Sequence, residues 1–261
     1  MRRRSVSLLL AVASCAIAAV AAGQVTAPYF EINGGVADKE QVVGGGNFIP
    51  AGALETDSAV VSGVPTPVTV ILRDPGYDGA PRQVCVDYIG TDAAFENRFF
   101  VSGTAINWCN KASCTDPTAT PAGAGNKTWT APFTASACFQ MNVGQQVPFV
   151  FIADVTNQGG NGTHAVGNGQ AVAGAHWGAF PYPFIFAPPF PAGSPVIGIG
   201  LADGAWVPGD DDHQDFAVRF TVQGVPIPPV VQVPTLGEWG LALLVLGVAL
   251  LGVRRLRRMR S

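Results

Sequence analysis

Basic residues are scarce through most of this 261-residue chain, which contains only three lysines. Between residues 24 and 232, seven Lys and Arg face 17 Asp and Glu, a net charge of −10. Such a surface repels a phosphate backbone, which excludes nucleic acid as a partner, and it favours cations. Charged residues of both signs make up 13% of the sequence, and 32 glycines and 21 prolines interrupt it. Long amphipathic helices are thereby disfavoured and short strands joined by turns are favoured. No Gly-x-Ser-x-Gly, His-Glu-x-x-His or phosphate-loop sequence occurs, and only His164, His176 and His213 are present as histidine bases. The common hydrolase and nucleotide-dependent chemistries have no sequence support here, and the expectation is a protein without catalytic activity of its own. A repeat of fixed period is also missing, which argues against solenoids and propellers.

Five cysteines are present. Cys15 lies in an N-terminal leader, which leaves Cys85, Cys109, Cys114 and Cys138, an even number that reads as two disulfides in an exported chain. Three pairings are open. The preferred one closes a local loop with Cys109–Cys114 and joins Cys85 to Cys138, because the latter two sit in strand-like stretches. Zinc is the rival reading of these cysteines, but no Cys-x-x-Cys pair or neighbouring histidine supports it.

Both ends read as addresses. Arg2, Arg3 and Arg4 precede an apolar run from Val6 to Ala22 that ends in small residues, the pattern of a secretory signal peptide over residues 1–23. Val12-Ala13-Ser14-Cys15 also resembles a lipobox, which would make Cys15 a lipidated N-terminus.

Residues 24–223 form the expected body. The runs Val68–Leu72, Val84–Ile89, Ala135–Val143, Val147–Val155, Val196–Ala202 and Phe216–Val222 are β-rich and are separated by Gly, Pro and Asp clusters. In the last run Phe216, Val218, Phe220 and Val222 share one face. The expected fold is all-β, a disulfide-containing, jelly-roll-like β-sandwich, with a signal helix before it and a transmembrane helix after it. Gly159–Gly178 and Pro181–Pro195 are expected as exposed loops or edge segments. The proline-rich residues 224–232 form a stalk.

From Leu241 to Val253 every residue is apolar or glycine, and Arg254, Arg255, Arg257, Arg258 and Arg260 follow. As a helix this run rises only ~20 Å against a hydrocarbon core of ~30 Å. Trp239 at one interface and snorkelling arginines at the other extend the span, with the arginines cytoplasmic and the body periplasmic. A simple membrane anchor needs nothing more specific than this. The preceding octet, Val233-Pro234-Thr235-Leu236-Gly237-Glu238-Trp239-Gly240, is specific. Together with the helix and arginine tail it resembles the IPTL-CTERM sorting signal, whose usual form is Ile-Pro-Thr-Leu-x-x-Trp-Gly. Val233 stands where isoleucine is usual. The resemblance implies that a membrane-embedded transpeptidase of the exosortase type recognises Pro234, Thr235, Leu236 and Trp239, cuts near the motif and passes the body to the cell surface.

Within the body, Asp210, Asp211, Asp212 and Asp215 converge on one loop, and Asp210, Asp212 and Asp215 are the candidate ligands of a structural calcium ion. A solvated acidic turn is the plainer reading of the same residues. The segment through Gly209-Asp210-Asp211-Asp212-His213-Gln214-Asp215-Phe216 resembles one that closes the β domain of PEP-CTERM-type exported proteins, with His213 in place of an aromatic and Gln214 in place of Asn. Val86 to Asn97 resembles an early strand of such domains. A module that binds or hydrolyses carbohydrate is the alternative. Trp108, Trp129, Trp177, Trp206, Phe180, Tyr182, Phe184, Phe186 and Phe190 could stack on sugars of an extracellular polysaccharide, although most large aromatics are core. Asp74, Asp78, Asp87, Asp92 and Asp154 are available as a glycosidase pair, with nothing in the sequence to pair any two. His164 and His176 are twelve residues apart in a Gly-rich stretch, an unspecific spacing for a metal and more in keeping with ordinary loop histidines.

Overall fold

A computed structural model describes residues 27–41, 48–157, 162–186, 193–204 and 212–224. The leader, the stalk beyond Gly224 and the whole sorting tail lie outside these residues, as does Asp210. Every regular element among the described residues is a strand, so the body is all-β. No helix among them is long and apolar enough to cross a membrane.

In chain order the strands begin with β1 (Tyr29–Gly34), β2 (Val36–Lys39), β3 (Leu54–Val61), β4 (Val64–Thr66) and β5 (Val68–Arg73). Next come β6 (Arg82–Gly90), β7 (Arg98–Val101), β8 (Asn107–Cys109), β9 (Thr120–Pro121) and β10 (Ser136–Met141). The last are β11 (Phe149–Ala153), β12 (His164–Gly167), β13 (His176–Pro181), β14 (Val196–Ala202) and β15 (Phe216–Val222). The largest sheet has the order β10-β6-β15-β14-β13-β3-β2, with β4 hydrogen-bonded to β3. A second sheet runs β12-β11-β7-β8-β9, and β1 pairs with β5.

The β1–β5 pair is tied to the second sheet through main chain and one side chain. Val147 N–H donates to the Val70 carbonyl at 3.0 Å. Asn168 substitutes for a missing strand: its Oδ1 accepts from Val70 N–H at 2.8 Å, and its Nδ2 donates to the carbonyls of Val70 and Val147 at 2.7 and 2.9 Å. These bonds satisfy backbone groups that burial would otherwise leave costly.

One apolar core draws side chains from all three sheets. Phe216, Val218, Phe220 and Val222 of β15 meet Phe99 of β7, Phe149 and Phe151 of β11 and Leu72 of β5. The period-2 pattern of β15 thus puts its apolar face where the sequence places it. The opposite face of the large sheet is covered too. Ile89, Phe180 and Ala217 on that face pack with Phe48, Ile49, Ala53 and Trp129 in a second, smaller cluster.

Two disulfides stabilise the body, Cys85–Cys138 and Cys109–Cys114, the pairing that the strand-like surroundings of Cys85 and Cys138 favour. Cys85 and Cys138 are register partners on β6 and β10, while Cys109 ends β8 and its bridge closes the turn that follows.

The Gly-rich stretch departs from expectation. Residues 164–167 form β12, and β13 is a wholly buried central strand between β3 and β14. Its glycine reflects crowding above one face of the strand. Trp177 and Ala179 face the main core, while Gly178 on the other face lies against side chains that leave no room for a Cβ.

Candidate metal centre

The covered outer face of the large sheet carries a buried polar cluster. In β3, Leu54-Glu55-Thr56-Asp57-Ser58, Glu55 and Asp57 are two residues apart and project to the same face. Both are fully buried, as is His213, and Glu40 is 2% exposed. Glu40 follows β2 and is fixed by its main chain, with its N–H donating to Ala53 O at 2.9 Å and its carbonyl accepting from Gly52 N–H at 2.8 Å.

His213 reaches this face from the segment before β15, and its ring sits between the acids. Nδ1 is 3.1 Å from Glu40 Oε2 and 3.0 Å from Glu55 Oε2, and Nε2 is 3.3 Å from Asp57 Oδ1. The His213 backbone N–H donates to the other Glu40 oxygen at 3.3 Å. The Phe180 and His176 rings stand edge-on to the imidazole at 5.5 and 4.9 Å, and the His176 Nδ1–H donates to the Gly204 carbonyl at 3.2 Å. His176, expected as an ordinary loop residue, is instead 1% exposed in β13.

Two glycines create the space for the imidazole. Gly178 and Gly200 are register partners on β13 and β14. A Cβ on Gly178 would lie 2.9 Å from both Asp57 Oδ1 and His213 Nε2, and one on Gly200 would lie 2.7 Å from the His213 Cβ. Glycine inside a strand weakens it, and a close approach such as this is what it permits. Glu40, Glu55 and His213 each offer one ligand atom, all within 4.8 Å of one another.

Two of the three carboxylates expected for calcium are described, and each has its own neighbours. Asp212 Oδ1 accepts from Gln214 N–H at 3.0 Å, and burial, reinforced by the charge of Glu40, pushes this carboxyl up to about 6. Asp215 Oδ2 accepts from Asp203 N–H at 2.8 Å. Burial first, and the Asp203 charge second, raise the Asp215 carboxyl well above the usual range. Asn97 Nδ2 donates to Asp203 Oδ2 at 2.9 Å and so closes that pair from the side.

Most of the acids available as a glycosidase pair are matched to bases. Asp74 and Asp78 contact Arg82, Asp87 contacts Arg219 at 2.7 Å, and Asp92 contacts Lys127. Of the aromatics, Trp108, Trp129, Trp177 and Phe180 are buried, while Phe186 is exposed. Trp206 and Phe190 lie outside the described residues.

Residues 232–258 match the IPTL-CTERM motif. The chain carries an IPTL-CTERM tail. The match begins one residue before Val233 and ends at Arg258, so it takes in Pro234, Thr235, Leu236, Trp239, Gly240, the apolar run from Leu241 to Val253 and most of the arginines. An IPTL-CTERM tail points to an exported protein sorted to the cell surface and implies processing by a sorting enzyme. No curated protein and no solved structure matches the chain.

Proposed function

We propose that this protein is a cell-surface or extracellular-matrix component without catalytic activity of its own, delivered by its IPTL-CTERM tail to a transpeptidase of the exosortase type. The tail match supports the delivery part of this reading. Export begins at the residue 1–23 leader, and the apolar run Leu241–Val253 with its arginines holds the chain in the inner membrane with the body in the periplasm. Proline fixes the backbone ahead of Thr235 and Leu236, and Trp239 sits at the outer interface, where an embedded enzyme can reach the motif. The enzyme then removes the anchor and the body moves outward. An all-β body with two disulfides suits an oxidising compartment, and its sheets are read as a jelly-roll-like sandwich.

The test replaces the recognised residues and leaves the anchor intact. In Pro234→Ala and Trp239→Ala chains the protein should accumulate in the inner membrane with its C-terminal arginines attached, while the parent chain reaches the surface. Equal surface delivery of the variants would count against recognition of the motif.

A further inference from the structure

We infer that Glu40, Glu55 and His213 bind one divalent transition-metal ion of the zinc class, with Asp57 as the partner that orients the histidine. Two ligands each ~2.1 Å from one ion lie ~3.0–3.4 Å apart. His213 Nδ1 stands 3.1 and 3.0 Å from the two glutamate oxygens, a distance at which it hydrogen-bonds to Glu40 and which also matches the spacing of neighbouring ligands on a shared ion.

The surroundings follow the pattern of a metal-bound histidine. A ligating imidazole commonly donates its second N–H to a carboxylate, which fixes the tautomer and makes the other nitrogen a better ligand. Here Nε2 lies 3.3 Å from Asp57 Oδ1, near that arrangement although the two atoms are not aligned as a hydrogen bond. Ligating carboxylates are themselves hydrogen-bonded, and Glu40 Oε1 accepts the His213 backbone N–H.

A divalent cation would offset the charge that these acids carry when ionised. Glu40, Glu55 and Asp57 bring three carboxylates into a site where each side chain is fully buried. An imidazolium among them leaves a net charge of −2 in a medium that penalises it strongly, whereas a divalent ion with neutral imidazole leaves −1. The basic side chains of the body are placed elsewhere. Arg73, Arg82, Arg98, Lys127 and Arg219 pair with other acids, Lys111 caps the Ala94 carbonyl, and Lys39 is exposed.

One imidazole nitrogen and two carboxylate oxygens suit zinc and its first-row neighbours, whereas calcium takes six to eight oxygens. Full burial, with Phe180 and His176 against the ring, places the ion inside the body, where it joins the segment before β15 to β3 and to the residue after β2.

The experiment uses the full chain in detergent, stripped with chelator and titrated with Zn²⁺, then with Co²⁺ as a spectroscopic probe. One zinc per chain is expected, with a nitrogen ligand in the X-ray absorption spectrum. Glu40→Gln and Glu55→Gln should each weaken zinc binding at least ~10-fold, and Asp57→Asn by ~10–100-fold. Asp78→Asn, at an exposed acid between β5 and β6, should bind as the parent does. A folded parent chain that takes up no stoichiometric zinc would overturn the assignment, as would folded Glu40→Gln and Glu55→Gln chains that bind like the parent. One equivalent of Ca²⁺ bound in place of zinc would overturn it as well. Where a variant does not fold, the stoichiometry and ligand spectrum of the parent chain decide.

Discussion

The tail and the buried cluster of the body are opposites in how sequence encodes function. The tail concentrates its meaning in one contiguous stretch, residues 232–258. The cluster draws Glu40 and His213 from positions 173 residues apart and joins them through two strands and a glycine pair. A contiguous signal is read by an enzyme that needs only a short extended peptide. A scattered one exists only after folding. The tail should therefore determine address without contributing to the stability of the body, and the body should fold without regard to the tail.

The sharpest way to break that division is to move the tail. Residues 232–261 fused to an unrelated exported domain should send it to the surface and be lost on the way, an all-or-none change readable by fractionation and immunoblotting. A fusion that stays in the membrane uncut would show that the body takes part in sorting.

Within the body the largest stability effect should come from the long-range disulfide. Cys85 and Cys138 are 53 residues apart, so replacing both with serine should cost about 4 kcal/mol by loss of the loop constraint on the unfolded chain. Cys109 and Cys114 are separated by 5 residues, and the same change there should cost about 2 kcal/mol. Denaturant unfolding of the full chain measures both. Equal losses would mean that the bridges act through native packing instead.

A smaller change tests whether the glycine pair makes room for the imidazole. Gly178→Ala puts a methyl group 2.9 Å from Asp57 Oδ1 and His213 Nε2 and should destabilise by ~1–3 kcal/mol. Gly63→Ala fills a position with no neighbour near its Cβ and serves as a comparison, although its positive φ of 82° carries a penalty of its own. A Gly178→Ala chain as stable as the parent would mean that the face is not tightly packed.

The smallest effect belongs to the rim. Arg73 holds the Glu31 carboxyl below its usual value of 4.5, chiefly by a hydrogen bond. A lowered carboxyl binds its proton more weakly in the folded state, so the stabilisation is present above 4.5 and is lost as pH falls through the lower folded value. Both side chains are about a third exposed. Solvent screening limits the effect of Glu31→Gln to ~0.5 kcal/mol at neutral pH, and it should vanish in acid. Melting curves at neutral and acid pH check the sign.

How much of this was legible follows from the same contrast. Val196–Ala202 and Phe216–Val222 coincide with β14 and β15, because apolar runs bounded by Pro, Gly and Asp leave few alternatives. β3 was not read from sequence, since Glu55, Thr56, Asp57 and Ser58 look like a surface turn. Glu55 and Asp57 are acidic because their face of the strand supports the cluster. The sequence of β13 reads as part of a loop for a related reason, as Gly178 is small to admit His213. In the sequence His213 is one of three histidines and the replacement for an aromatic in a resembling segment, with nothing to link it to Glu40. A signal in Leu54–Val61 is the spacing of its two acids, Glu55 and Asp57, which as a strand would share one face and call for a partner there.

The claim that the tail is an address separate from the body is tested most directly by the intact mass of the protein recovered from the cell surface and the medium. The account predicts a chain that ends within or near Val233 to Gly240, with both disulfides formed and the apolar run and arginines gone. A surface protein that still carries Arg260 would contradict it and make the tail a permanent anchor.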